Sequence, residues 1–313
     1  MALTMMSGLT QETFDAIAAE MLIKADDNFT VLQQVIPQAP STIDAGAKTV
    51  TFNQPDLPSG TYTEAARRLT EGTAITAASK AITMSTKTLT FREYGGPDVA
   101  GTVTPFGLTE KLLKMAKHDM IPIVGTFMRR DRNKWMDAVI RNDLLTTTVV
   151  ETADGSAEGA IAAGQVASAA WLRRMNKTMK DNLVPTFPNG RHKLIISTKD
   201  ERDLKNDDEI NKAFREFAQA NPIIVSGQLG FYEGFDFFVD TLMPTAAVGA
   251  AGAVTGYQSL AFGPYHEGHG VIMEPSIRYA DDTDFQRQIR LLWVSLEAWG
   301  LLYGDYVLRG VTS

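Results

Sequence analysis

The sequence predicts a mixed helix-and-sheet fold, α+β in class, and three stretches carry that prediction. Residues 122–146 repeat apolar side chains at three- and four-residue spacing (Ile123, Val124, Phe127, Met128, Trp135, Met136, Val139, Ile140, Leu144), which marks one helix face. Residues 80–94 (KAITMSTKTLTFREY) alternate over a length well beyond an average strand. Beyond residue 192, strand-like and helix-like segments alternate, a pattern that taken alone fits α+β and α/β equally.

A chain of 313 residues can bury a large core and hold two or three structural units. It has no cysteine, which excludes disulfides, thiolate metal sites and cysteine nucleophiles, so packing or association must hold it together. A formal charge of -7 and a pI near 5.2 weigh against a general nucleic-acid binder, since phosphate affinity is built from surplus Lys and Arg. A container that must hold DNA without gripping it would also be mildly acidic. No apolar run approaches the roughly 18 residues of a membrane span, and the opening MALTMMSGLT lacks a secretory pattern, so a soluble, intracellular product is expected.

Thr10 as cap, with Leu9 stapled to Phe14, predicts a helix running to about residue 24. Residues 25–47 mix short apolar pieces with Pro37, Pro40 and Gly46 and read as an extended arm. Residues 48–52 alternate as a strand and, with 80–94, predict a long thin hairpin. Thr83, Ser85, Thr86, Thr88 and Thr90 give it β-propensity but too little apolar surface for two buried faces. Such a hairpin is marginal alone, so it must lie on its own domain or on a neighbouring subunit. Residues 95–107 read as a glycine and proline hinge and 108–120 as a short amphipathic helix. The 122–146 helix follows, with Pro122 in its first turn, where a missing amide donor is tolerated. It would reach about 35 to 40 Å, enough to cross a whole domain. Its polar face carries Arg129, Arg130, Asp131, Arg132, Asn133, Lys134, Asp137 and Arg141.

Residues 151–164 (ETADGSAEGAIAAG) are small, flexible and acidic, and place a domain boundary. Ser168 caps a helix with Trp171, Leu172, Met175, Met179 and Leu183 on one face and Arg173, Arg174, Lys177 and Lys180 on the other. Residues 193–198 (KLIIST) read as a buried strand, followed by a charged run and a helix through Ile210, Ala213, Phe214 and Phe217. Phe235, Phe237 and Val239 mark another strand, and residues 246–256 (AAVGAAGAVTG) a mobile loop. The chain returns through 259–262, 270–279 and 284–303, with a last strand at 307–311. Leu291, Trp293, Leu296, Trp299 and Leu301 make this closing stretch the natural partner of the long helix.

His266, Glu267 and His269 form the one dense cluster of candidate metal ligands, and with them the one route to a metal-dependent hydrolase. A helical zinc-protease motif sets its two histidines four apart on one face, whereas these stand three apart in a glycine-rich loop. His118 and His192 stand among Lys and Arg and read as surface histidines. There is no phosphate loop, no G-x-S-x-G elbow and no dinucleotide fingerprint, so neither a catalytic residue nor a cofactor is expected. Asp281, Asp282 and Asp284 lack the glycine and later glutamate of an EF-hand and read as a turn. The cationic faces at 129–134 and 173–180 have the charge to meet phosphates, but such runs on helices are usually solvated.

The order of these parts is more informative than any single motif. The arm, the hairpin with its LTEG turn at 69–72, the long helix, the GQLGFYEGFDFFVDTLMP strand at 227–244, the LAFGPYHEG turn at 260–268 and the closing segment at 277–310 resemble a tailed-bacteriophage major capsid protein of the Hong Kong 97 fold. The resemblance implies an N-terminal arm and first strand at 1–55, an E-loop hairpin and hinge at 56–106, a P-domain spine-helix region at 107–163, an A-domain at 164–263, and a return to the P-domain with the C-terminal strands at 264–313. It implies a structural, non-enzymatic subunit that self-assembles into an icosahedral shell around double-stranded viral DNA. The implied partners are copies of itself in hexamers and pentamers, packaged DNA by non-specific contact, and scaffolding, portal and decoration proteins, with no membrane. The implied place is the virion capsid, assembled in the host cytoplasm. An encapsulin-like cellular compartment is the alternative within the same fold. The subunit-contact candidates are Arg67, Arg68, Glu71, Arg129, Arg130 and Arg132, with the 129–134 stripe meeting either DNA or, as favoured here, the acidic flank of a neighbour. No Lys and Asn pair with a catalytic partner is recognisable, so the cross-linking chemistry of some relatives is not assigned.

Overall fold

The computed structural model describes residues 48–55, 68, 84–99, 101–115, 120–216, 230–281 and 287–313. The helix expected at 10–24, the arm at 25–47, the hairpin tip with its LTEG turn, Phe217 and the aspartate turn at 282–286 lie outside the described residues.

Strands β1 (Thr49–Pro55) and β2 (Met84–Thr90) pair antiparallel, from Thr49 opposite Thr90 to Pro55 opposite Met84. The single strand expected over 80–94 is interrupted at Phe91, whose amide donates to the Lys48 carbonyl at 3.0 Å, and the chain goes on as β3 (Arg92–Gly96). The break marks a change of sheet: β2 keeps β1 as partner, while β3 pairs with a C-terminal strand. The expected hinge contains a miniature hairpin, β4 (Asp98–Val99) with β5 (Thr102–Val103), and then β6 (Phe106–Thr109). Strand β6 draws the start of the expected 108–120 helix into a sheet, so α1 (Glu110–Met115) begins after it. The long helix is present as α2 (Met120–Leu145).

The stretch read as a flexible acidic linker is instead built in. Its start forms β7 (Val150–Thr152), a 3-10 turn spans Glu158–Ala160, and Ile161 is buried against Val248 and Val311. Helix α3 (Ala169–Asp181) begins as predicted, with the Ser168 hydroxyl accepting from the Trp171 amide at 3.3 Å. Leu183 departs from its predicted face: it lies beyond the helix end with φ 54° and is 84% exposed. Strand β8 (His192–Ile196) follows, its His192 buried rather than on the surface. The charged run is itself a helix, α4 (Thr198–Asn206), because Ser197 caps it, Asp200 and Glu201 occupy its first turn and Lys205 its last. Then come α5 (Asp208–Glu216), β9 (Phe231–Tyr232) and β10 (Phe235–Val239).

The expected mobile loop at 246–256 is a hairpin of β11 (Thr245–Val248) and β12 (Val254–Phe262). Its small residues permit a tight connection with positive φ at Gly249, Ala251 and Gly252, so low bulk here means close approach rather than freedom. The chain closes with β13 (Glu267–Asp281), β14 (Gln288–Leu301) and β15 (Val307–Thr312).

Two principal sheets result. The larger runs β7-β15-β12-β8-β10-β9, with β11 also on β12; the smaller runs β13-β14-β3, with β6 also on β14. On one face of the larger sheet, Trp171, Leu172, Met175 and Met179 of α3 pack with Leu194, Ile196, Phe235, Ala261 and Leu308. Its other face, with Ile195, Leu260, Phe262 and Val307, receives Met136, Ile140 and Leu144 of α2. The first half of α2 packs on the smaller sheet, where Val124 and Met128 meet Leu108, Leu291 and Trp293. One helix therefore spans both sheets, and the partnership predicted with the 291–301 stretch is present.

Candidate assembly surfaces

The α2 seat is polar as well as apolar. Trp293 Nε1 donates to Asp131 Oδ2 at 2.8 Å, and Arg132 Nη2 donates to Glu297 Oε1 at 2.9 Å. Glu297 Oε2 accepts from His269 Nε2 and Trp299 Nε1, each at 3.0 Å. Burial alone would raise the Glu297 carboxyl, but the His269 and Arg132 hydrogen bonds prevail and hold it at about 2. Near the helix end, Arg141 donates to Asp240 at 2.8 Å and to Asp137 at 3.4 Å, all three side chains buried. These contacts tie the helix to the smaller sheet and to the end of β10.

This geometry divides the predicted contact residues. Arg68 and Arg129 are exposed and Arg130 is half-buried. Arg132 turns inward onto Glu297, with 17% of its side chain exposed. The signal for that was present in the sequence: Arg132 continues the four-residue ladder Met128, Met136, Ile140, Leu144, so it belongs to the buried face. Arg67 and Glu71 lie outside the described residues. On the cationic face of α3, Arg173 pairs with Glu209 and Glu233, Arg174 with Glu151 and Lys177 with Asp181.

Only Glu267, Gly268 and His269 of the HEGH segment enter β13, and its two histidines take separate partners. His269 stacks on Trp299 with ring centroids 3.6 Å apart, while the His266 ring packs against Phe262. Among the described residues no group of three His, Cys, Asp or Glu side chains could hold a metal ion, so the ligand set of a metal-dependent hydrolase is not assembled.

Two surfaces suit contact with other chains. The first is the hairpin. Its root belongs to its own subunit, since Val50, Phe52 and Leu89 pack with Ala298, Phe91 and Leu302. The fit relies on missing side chains: a β-carbon at Gly300 would lie 2.5 Å from Leu89, and one at Gly268 would lie 2.8 Å from Phe52. Thr51, Thr86, Lys87, Thr88 and Thr90 are exposed. The second is the outer edge of β13, which has no strand partner among the described residues. Ile272, Ile277 and, on α2, Phe127 are 43%, 52% and 40% exposed, and Ile277 approaches the backbone of α2 at Gly125. Register shifts between Val271 and Met273 and between Met273 and Ser276, together with Pro275, blunt this edge against indiscriminate pairing. Phe127, counted in the sequence on the apolar face of the long helix, is exposed instead, and sequence reasoning did not single out Ile272 and Ile277 as surface residues, because alternation alone does not tell an edge strand from a central one.

A long helix lying across two sheets, a hairpin rooted on the smaller sheet and a chain that returns to that sheet after the larger one define the Hong Kong 97 fold of tailed-phage major capsid proteins. Solved phage structures share it. The chain is similar to the "Cyanophage Pam1 capsid asymmetric unit" at TM-score 0.66 and 14% identity, with 85% of each chain covered. It is similar to a chain from Mycobacterium phage Che8 at TM-score 0.60 and 12% identity over 90% of each chain. The head structure of Helicobacter pylori bacteriophage KHP40 matches at TM-score 0.63 and 12% identity, over 86% of this chain and 85% of that one. No protein-family sequence model and no curated protein sequence matches the chain.

Proposed function

We propose that this chain is the major coat subunit of a tailed phage, self-assembling into an icosahedral shell around double-stranded DNA. The observation that carries this reading is the reach of the structural likeness, which covers 85% of both chains at TM-score 0.66 in the Pam1 comparison. The same reading divides the chain into arm (1–55), hairpin and hinge (56–106), P-domain (107–163 and 264–313) and A-domain (164–263). Hexamers and pentamers of the chain are the assembly units, with Phe127, Ile272 and Ile277 buried against neighbours and Arg68, Arg129 and Arg130 at polar contacts. A mildly acidic protein holds DNA by non-specific contact without gripping it. Scaffolding, portal and decoration proteins complete the partners, and the virion formed in the host cytoplasm is its place.

Velocity sedimentation of the expressed chain, alone and with scaffold, tests this. The expected outcome is a fast-sedimenting population of capsomers or shells, diminished by Ile277→Asp. A strictly monomeric chain under every condition overturns the reading.

A further inference from the structure

Glu267, the first residue of β13, is 1% exposed, and neither of its carboxyl oxygens has a hydrogen-bond partner among the described residues. Its direction follows from its neighbour. Gly268 faces Phe52 and Leu302 on the hairpin side, so strand alternation turns Glu267 to the opposite face, beneath α2. It pairs in register with Leu301, which packs on the cluster containing Met136, Ile140 and Leu144 of α2. The strand is clamped there, since β-carbons at Gly268 and Gly270 would lie 2.8 Å from Phe52 and 2.9 Å from Val50.

Among the described residues, the charged groups around this seat are committed elsewhere. On α2, Arg132 serves Glu297, Arg141 serves Asp240 and Asp137, and Asp143 repels a second negative charge. On β13, His269 serves Glu297, and His266 Nδ1 meets the Gly263 carbonyl at 2.7 Å. On β14, Glu297 is itself anionic. On β3, Arg92 acts on Asp143 and Tyr94, and on β8 Lys193 acts on His266. Burial first, and then Asp143, push the Glu267 carboxyl well above the ordinary glutamate range.

We propose that Glu267 is a proton-operated latch on the seat of α2. With its proton, the carboxyl lets the helix lie on β13 and β14; when the proton is released to solvent, the carboxylate drives the C-terminal half of the helix off that seat. The folded chain then binds a proton that the unfolded chain has lost. The stabilisation is complete below the ordinary value of 4.5 and is lost as pH rises toward the folded value. His266 acts in the opposite sense, being lowered by burial from 6.5 to about 4, and Asp200, raised by burial to about 6, has finished titrating soon above that. His192 is also lowered by burial and acts in the same sense as His266, so the Glu267 contribution stands apart from all three above about pH 7.5. Use of the latch to remodel an assembled shell rests on the coat reading; the latch itself is a property of the single chain.

Hydrogen-exchange protection factors of the full chain, from about pH 7.5 to about 9, test it. Protection over residues 136–145 of α2 should fall by as much as tenfold per pH unit, the limit for one proton, while residues 171–180 of α3 hold steady. Glu267→Gln should abolish the slope, and Glu267→Met should do the same should the buried amide prevent folding. A flat wild-type profile, a parallel fall in α2 and α3, or a slope that survives in a folded variant overturns the latch. A chain that never assembles would end the coat reading and leave these profiles as they are.

Discussion

The guanidinium of Arg132 reaches Glu297 across the boundary between α2 and the smaller sheet, and Glu297 collects His269 and Trp299 on its other oxygen. A buried pair adds little net stability but is costly to break, because the abandoned charge stays buried. Arg132→Met or Glu297→Gln alone should lower the unfolding free energy by about 3 kcal/mol, while the double variant should recover much of that loss, as measured by urea denaturation. The carboxyl also sets a pH signature. Held at about 2 in the fold against an ordinary 4.5, it contributes stability that is complete above about pH 4.5 and disappears as pH falls toward 2. Wild type and Glu297→Gln should therefore converge in stability on acidification through that window. Arg132 also shows what a charge list hides: three arginines in four residues look equivalent, but only the one in register with Met128 and Met136 turns inward. Glu267 was legible as an unusual residue but not as a buried one, because its burial depends on a helix more than a hundred residues earlier in the chain.

The hairpin root and its tip should respond differently to mutation. Leu89→Ala removes a buried side chain from the contact with Gly300 and Ala298 and should destabilise the isolated chain by about 2 to 4 kcal/mol. Deletion of residues 61–78 leaves that root in place, so the thermal unfolding transition should be unchanged while assembly is lost. A deletion that abolishes cooperative unfolding would show that the tip belongs to the subunit core. Elements with strong period or cap signals, α2, α3, β10 and the closing strands, were readable in the sequence because their own side chains carry the pattern. The elements that were not, α4, β7 and β11, consist of charged or small residues whose structure comes from a cap, a parallel partner or a close approach. Low bulk at 151–164 and 246–256 looked like freedom and is in fact tight packing around Ile161, Val248 and Val311.

In the whole molecule, two sheets share one helix, so a shift of α2 on either seat must be felt at the other. In the proposed coat role, that coupling would let one fold occupy the non-identical positions of a closed shell. The order of parts along the chain pointed to the fold through its resemblance to tailed-phage capsid proteins, while periodicity by itself marked only the long helix and individual strands. The split of α2 between two cores was not legible, because periodicity finds an apolar face without saying how many sheets it covers. The assembly surfaces were only partly visible, as exposure of Ile272, Ile277 and Phe127 is decided by which strand lies at the sheet edge. The central claim, that this fold is used to build a shell, is tested most directly by negative-stain electron microscopy of the chain expressed alone and with a scaffolding partner. Closed, uniform shells, or capsomer rings that close on addition of the partner, are the predicted result. Fields of dispersed monomers under both conditions, from protein that unfolds cooperatively, would contradict it.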